Sequence, residues 1–400
     1  MRRTLVPGGL LAAVLGLPMR AQSTSISGLL QVWGTQMLDS NLRQDSPALP
    51  YYNLRSEFQE NTFAIRRSEV HWKTTLAPGT FAYVVMDPAQ PTLLINAFVH
   101  FAGPAGFEVQ VGQFRAFQTR EGVIPSKDLW LVERSQLARV FGDVGERGGA
   151  VGQSFKLGAA WTGKSWLGIF NGSGKSNDAN AQKDWVARLE FTNGESTFGV
   201  YGLMGSTDLR DAGQLRARTF TGAAPGPDAV IQAKDRTTNF GVFHEYQGGP
   251  WLFSFEAISG LLGRRFPSLF LQPSGGGSVP PAQREHLDQR FLGAVLTVGY
   301  RVGPHTFLGR FDRMDYNWGD RWYTGSSPYL RTIQGGPIDI RPVYREITLG
   351  YLYALGTTRF QSANLKLNYI ARGKSFLVPR VGQVGAQGGD SLVACLQVAF

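Results

Sequence analysis

The chain has a single cysteine, Cys395, in 400 residues. No internal disulfide can form, so its loops must be held by packing and hydrogen bonds. Its five histidines are dispersed and no paired cysteines accompany them, so the ligand spacings of a zinc site are missing and no metal or other cofactor is expected. After residue 21 no apolar run is long enough to cross a bilayer as a helix. The net charge is +10, yet no run of four or more basic residues occurs, which argues against a nucleic-acid partner. Lysine is scarce, with nine residues spread along the chain, and few stretches carry a helical period.

What is present is glycine (50 residues) and aromatics at 12%. That composition points to one large β structure rather than two or three soluble domains. Residues 1–21 have the three-part form of a secretory signal peptide: Arg2 and Arg3, an apolar stretch over 5–17, then Pro18 and the small Ala21. Met19 is a poor residue two before that cut, and the fuller twin-arginine pattern is missing, which favours general secretion. Removal takes away three arginines and no acid, so the net charge falls from +10 to about +7 and the mature chain is 22–400.

The last stretch, 389–400, alternates cleanly. Leu392, Ala394, Leu396, Val398 and Phe400 share one face of a strand; Ser391, Val393, Cys395, Gln397 and Ala399 share the other. An apolar stripe ending on Phe400 suits the closing strand of a lipid-facing barrel. It also looks like the terminal signature that the outer-membrane barrel assembly machinery reads.

Sixteen segments read as strands: 26–38, 62–75, 80–86, 92–101, 107–114, 147–155, 161–170, 184–192, 195–204, 237–247, 250–260, 289–302, 305–316, 343–355, 359–371 and 390–400. The gaps between them alternate. One set is short and carries Gly, Pro or Asn-Gly, the chemistry of hairpin turns (76–79, 102–106, 193–194, 248–249, 303–304, 356–358). The other set is mostly long (39–61, 115–146, 171–183, 205–236, 261–288, 317–342, 372–389). Short turns on one side and long loops on the other are the rhythm of a transmembrane antiparallel β-barrel in a bacterial outer membrane. The faces agree: Trp185, Ala187, Leu189 and Phe191 oppose Arg188 and Glu190, and Trp251, Phe253, Phe255 and Ala257 oppose Ser254 and Glu256. Trp72, Trp185, Trp251 and Tyr300 fall near strand ends, where aromatic girdles sit.

The motifs Arg66-Arg67-Ser68-Glu69-Val70, the stretch 83–87, Val111-Gly112-Gln113-Phe114, Glu133-Arg134-Ser135, Phe170-Asn171-Gly172 and Lys183-Asp184-Trp185 follow one another in order. With that order and spacing, residues 60–192 resemble the phosphate-selective porin O and P family of outer-membrane channels. The resemblance implies a sixteen-stranded barrel, a homotrimer, and a loop folded into the pore.

In such a fold the loop 115–146 is the natural constriction. It holds Arg115, Arg120, Lys127, Arg134 and Arg139 against Glu121, Asp128, Glu133, Asp143 and Glu146. Arginines round a narrow opening would favour anions through fixed forked donors. By parity Arg67, Lys73, Arg188, Arg301, Arg310 and Lys366 face the lumen, and so do Glu69, Glu108, Glu190, Glu245, Glu256, Asp312 and Glu346. These nearly cancel. Phosphate-specific members of the family are associated with a ladder of Arg and a cluster of Lys, and nine scattered lysines assemble no such cluster. Anion or phosphate selectivity and general passage of small hydrophilic solutes therefore both stand.

Weaker motifs remain. Gly172-Ser173-Gly174-Lys175-Ser176 ends like a phosphate-cradling loop but has Ile169 where the first glycine belongs. Asn177, Asp178 and Asn180 offer oxygens, as turn residues also do. An outer-membrane enzyme, lipase-like, would draw on Ser254 or Ser259 with His244, without a nucleophile-elbow pattern. A purely structural barrel is the third alternative. The favoured function is a non-enzymatic porin among outer-membrane lipids.

Overall fold

The computed structural model describes residues 23–38, 61–143, 145–175, 182–206, 236–267, 286–315, 318–319, 343–356, 362–372, 375–377, 385–387 and 390–400. Residues 1–21, which the sequence leads one to expect as a signal peptide, and Asn177, Asp178 and Asn180 lie outside them.

In chain order the strands are β1 Ser23–Met37, β2 Thr62–Ala77, β3 Thr80–Met86, β4 Leu94–Ala102, β5 Phe107–Arg115, β6 Gly145–Leu157, β7 Trp161–Phe170, β8 Asp184–Thr192, β9 Ser196–Ser206, β10 Arg236–Gly248, β11 Trp251–Pro267, β12 His286–Val302, β13 His305–Asp315, β14 Val343–Ala354, β15 Ser362–Arg372, β16 Ser375–Leu377, β17 Gly385–Gln387 and β18 Ser391–Ala399. All but β16 and β17 close into one sixteen-stranded antiparallel barrel, each strand pairing with its neighbour in the chain. β16 and β17 form a separate hairpin inside the last long gap. The sequence shows only a loop there, because three-residue strands are too short to display a period.

Closure is made by β18 returning to β1, in register from Leu29 opposite Ala399 to Met37 opposite Ser391. The Gly28 N–H donates to the Phe400 carbonyl at 2.7 Å, and the Phe400 N–H donates back at 3.1 Å. A Cβ on Gly28 would stand 2.5 Å from Cζ of Phe400, so the terminal ring lies across a residue that must lack a side chain. A closed ring leaves no strand edge, which a bilayer requires because it offers no water to unpaired backbone groups.

The period of two sorts the side chains. Along β18, Leu392 and Leu396 are exposed while Val393, Cys395 and Gln397 are buried inside. Trp185, Phe198, Leu296, Phe311 and Leu349 are likewise exposed on the outer wall. An apolar surface of that extent belongs against acyl chains rather than water. At the short-turn end, rings gather in pairs: Trp161 with Phe198 at 5.4 Å, Trp251 edge-on to Tyr300 at 4.7 Å, Phe307 with Tyr351 at 5.5 Å. This is the aromatic girdle of one interface. The turns are built as their residues dictate: at Asn193-Gly194 the Ser196 N–H donates to Asn193 Oδ1 at 2.8 Å and Gly194 takes φ +84°. Short turns mark the periplasmic end, and both β1 and β18 have their outer chain ends there. Among the described residues no helix is long and apolar enough to cross a membrane.

Candidate channel constriction

The loop between β5 and β6 folds inward. It carries two short helices, α1 Arg120–Val123 and α2 Gln136–Phe141, with a 3-10 turn at Ser126–Asp128 between them. Each helix is capped by a hydroxyl: Thr119 Oγ1 accepts from the Gly122 N–H at 3.0 Å, and Ser135 Oγ from the Ala138 N–H at 3.3 Å.

Apolar side chains carry the loop onto the wall. Phe117 stacks on Trp166 of β7 at 4.5 Å, and Phe141 stacks on Phe291 of β12 at 4.5 Å. Leu131 packs with Leu252 of β11 and Leu308 of β13. Val132 packs with Trp33, Ile370, Val393 and Cys395, where β1, β15 and β18 meet.

Charged groups then fix its position. Glu133, 3% exposed, receives Arg66 Nη2 at 2.8 Å and Arg67 Nη2 at 3.1 Å. Its carbonyl accepts from Arg310 Nη1 at 2.8 Å. Burial alone would raise the Glu133 carboxyl, but the neighbouring Arg67, Arg66 and Arg134 hold it well below the usual carboxylate value. Arg120 forks onto Glu245 at 2.8 and 3.0 Å, and its N–H donates to Glu256 at 2.7 Å. Burial opposes the charge on Arg120, yet the Glu245 pairing raises its pKa above the ordinary value. Lys366 Nζ donates to the Leu129 carbonyl at 2.6 Å, and Gln397 Nε2 to the Lys127 carbonyl at 2.8 Å. Arg188 Nη1 donates to the carbonyls of Phe117 and Thr119 at 3.3 and 3.1 Å. Arg310 also meets Asp312 at 2.8 Å and Glu346 at 3.2 Å.

The five basic loop residues therefore differ. Arg134 is 0% exposed; its guanidinium donates to the carbonyls of Glu121 at 3.0 Å and Ile124 at 2.7 Å, and burial pulls its pKa down to about 10. A solute in the lumen does not reach it. Arg115 is paired with Asp143 at 2.9 Å, and Arg139 reaches the Tyr344 hydroxyl at 3.4 Å. Burial would raise the Asp143 carboxyl, but Arg134 and Arg115 hold it below its ordinary value. Lys127 stays exposed beside Asp128.

The anchors reach β1, β2, β7, β8, β10 to β15 and β18, so inward groups such as Lys366, Thr348 and Glu346 are covered. A polar strip on β2, β4, β5 and β7 stays partly exposed to the lumen. Here His71 lies 2.9 Å from Glu69 and 2.8 Å from the Tyr83 hydroxyl, and Lys164, 37% exposed, pairs with Glu108 at 3.0 Å. His100 lies 3.8 Å from the same Glu108. Lys73 stands over the Phe81 ring at 4.3 Å, exposed, and Arg301 is exposed at the short-turn end of β12. Glu190 is held by Arg188 at 2.9 Å.

No family model matches the chain, and no curated protein matches it by sequence. Solved structures do match its fold. The outer-membrane channel DcaP of Acinetobacter baumannii superposes with a TM-score of 0.56 at 9% identity, over 94% of this chain and 97% of that one. OmpT of Vibrio cholerae, an outer membrane protein solved in a trimer form, gives 0.54 at 11%, over 94% and 99%. An anion-selective porin from Comamonas acidovorans gives 0.51 at 11%, over 94% and 98%. The fold is that of the outer-membrane porins. A closed barrel with an apolar outer belt is the form in which strands cross a membrane.

Sequence reasoning missed several members of the anchor set. Gln31 Nε2 donates to Gln397 Oε1 at 2.7 Å, and Arg67 Nη1 to Gln31 Oε1 at 2.6 Å, across the barrel seam. Arg372 reaches Glu346 at 2.8 Å. Arg66 joins Arg67 inside because a bulge between Gln31 and Val32 breaks the period there. The hydrolytic pair is not assembled. Ser254 and His244 lie on opposite faces of the wall, and Ser259, on the side of His244, is opposite Phe240, roughly 13 Å further along the strand. The Gly174 N–H donates to the Glu146 carboxylate at 3.0 Å, a partner opposite to what a phosphate cradle needs.

Proposed function

We propose that the chain is a passive outer-membrane porin for small hydrophilic solutes, its water path running beside β2 to β7. The observation that carries this is the lopsided lumen: a loop bound to the far wall and a partly exposed polar strip left facing it. A sixteen-stranded barrel is wide enough to hold both a loop and a path. The strip has nearly balanced charge, since Lys164 pairs with Glu108 and Arg67 with Glu69. Lys73 and Arg301 have no acidic partner within ion-pair distance among the described residues, which supports a modest anion preference. Phosphate selectivity is the narrower form of this function and is supported by the sequence resemblance. Assembly as a homotrimer and insertion through recognition of the β18 end by the assembly machinery belong to the same proposal. No covalent step is involved, so the chain is not an enzyme.

The test is reconstitution of the mature barrel in a planar bilayer across a salt gradient, with and without phosphate. Discrete steps with a reversal potential on the anion side are the expected result. Block by low phosphate would establish the narrower function. A folded barrel without conductance would overturn the porin assignment.

A further inference from the structure

The polar strip on β2 to β7 is interleaved with rings. In the register of the wall, Lys73 of β2 lies opposite Tyr83 of β3, Tyr83 opposite Phe98 of β4, and Phe81 opposite His100. Directly opposed residues share a face. Lys73 lies on the face of Arg67 and Glu69, which meets the loop through Glu133, so these rings look into the lumen. Phe98 stands 6.2 Å from Phe81 and 5.4 Å from Tyr83, between ring centroids. The row continues through Phe114 at 5.8 Å to Phe117 of the loop. Phe114, Phe117 and Trp166 are accounted for by docking of the loop. Phe81 and Tyr83 lie nearer the short-turn end and belong to no part of that apolar cluster. With Phe98 they are only half-buried. A water-lined barrel has a polar interior, so half-exposed rings there call for an apolar occupant.

We propose that Phe81, Tyr83, Phe98 and Lys73 form a lumen site for aromatic monocarboxylates, anions of the benzoate type. The inference rests on the solute path of the preceding section and names a solute class which that path retains. The rings offer an apolar platform, and offset or edge-on stacking rewards a planar aromatic body. The platform is held in place. The Tyr83 hydroxyl is 2.8 Å from His71 Nδ1, and Glu69 is 2.9 Å from Nε2 of the same imidazole. The His100 ring stacks on Phe81 at 4.9 Å. Lys73 supplies the charge. Its Nζ stands over the Phe81 ring at 4.3 Å, exposed, and among the described residues no carboxylate lies within ion-pair distance of it. A carboxylate arriving beside Phe81 would accept a charge-assisted hydrogen bond from that ammonium. A second carboxylate on the ligand meets cations already engaged: Lys164 holds Glu108 at 3.0 Å, and Arg67 holds Glu133 at 3.1 Å. Glu69 and Glu108 face the same strip and repel a dianion. One cation beside a row of rings thus selects a monoanion with an aromatic body.

The test is a ligand-observed NMR titration of the mature barrel in detergent, with benzoate, acetate, benzamide and phthalate as probes and empty micelles as the blank. The wild-type barrel should bind benzoate about tenfold or more tighter than acetate, which lacks the ring, and than benzamide, which lacks the charge. Phthalate should bind more weakly than benzoate; the reverse order would overturn the choice of a monoanion. Lys73→Gln should abolish the preference for benzoate over benzamide and keep that over acetate. Phe81→Leu with Phe98→Leu should do the opposite. Heat-modifiable migration reports that the variants are folded. Equal affinity of the wild-type barrel for benzoate, acetate and benzamide, or an undiminished preference over benzamide in folded Lys73→Gln, would overturn the site. Conductance in potassium chloride is read separately. A non-conducting barrel that selects benzoate would refute the solute path, whereas a conducting barrel without the preference would refute the site alone.

Discussion

Replacing Glu133 by Gln should release the loop without opening the barrel. The Glu133 carboxylate is 3% exposed and holds Arg67, itself 6% exposed, together with Arg66, which keeps 23% of its surface. Removing one partner of a buried ion pair costs about 3–5 kcal/mol. The low end applies, since water reaches Arg66 and the glutamine still offers one acceptor. Loop opening is a local event, and about 3 kcal/mol raises its equilibrium population roughly 100-fold. Cys395 supplies the readout. It is the only cysteine of the chain, 0% exposed, and packs with Val132, the residue before Glu133. A small water-soluble maleimide can alkylate it only when the loop lifts. At pH 7.4 the labelling rate of the folded variant should exceed wild type by about the same factor. The seam between β1 and β18 is untouched, so heat-modifiable migration should be unchanged. A folded Glu133→Gln barrel labelled no faster than wild type would refute the anchoring role.

The acid dependence of the same anchor has a defined sign. Because the folded Glu133 carboxyl titrates well below its unfolded value of 4.5, its contribution is complete above pH 4.5 and is lost only as pH falls through the lower folded value; single-channel conductance should be flat from neutral pH down to that point. Selectivity should follow exposure: Lys73→Gln with Arg301→Gln should move the reversal potential towards cations, whereas Arg134→Gln should leave it unchanged and raise Cys395 labelling. Gly28→Val would press against the Phe400 ring, where a Cβ already meets Cζ at 2.5 Å, and should lower the yield of heat-modifiable barrel. Phe117→Ala removes the stack on Trp166 and should raise open-channel current noise, with a loss of about 3 kcal/mol in loop docking.

The barrel was legible because each of its signals is local. Alternation within one strand names its two faces, and Asn193-Gly194 or Gly303-Pro304 names a turn without reference to anything distant. The loop has no such signal. Nothing in the sequence separates Arg134, which turns back onto its own carbonyls, from Lys127, which stays in water. The partners of Glu133 lie on β2, and that of Lys366 lies on the loop, more than 200 residues away. The seam pair Gln31 and Gln397 is separated by almost the whole chain. Parity fails for Arg66 because one extra residue at the Gln31/Val32 bulge reverses its face, a slip that composition cannot reveal.

The mixture of anchors also explains why the loop has one docked position. Adhesion comes from Phe117, Leu131, Val132 and Phe141, whose burial is worth about 1.5–3 kcal/mol each. Apolar contacts of this kind tolerate sliding, since one ring or aliphatic group replaces another at little cost. The ionic anchors contribute little net adhesion, because their desolvation offsets most of the attraction. Their effect lies in what a shifted loop would meet. Moved by one residue, it would leave the Glu133 carboxylate buried without Arg66 and Arg67 and would strip Lys366 of the Leu129 carbonyl, the unpaired charge alone costing several kcal/mol. The apolar residues therefore hold the loop to the wall, and the charges decide where on the wall it rests.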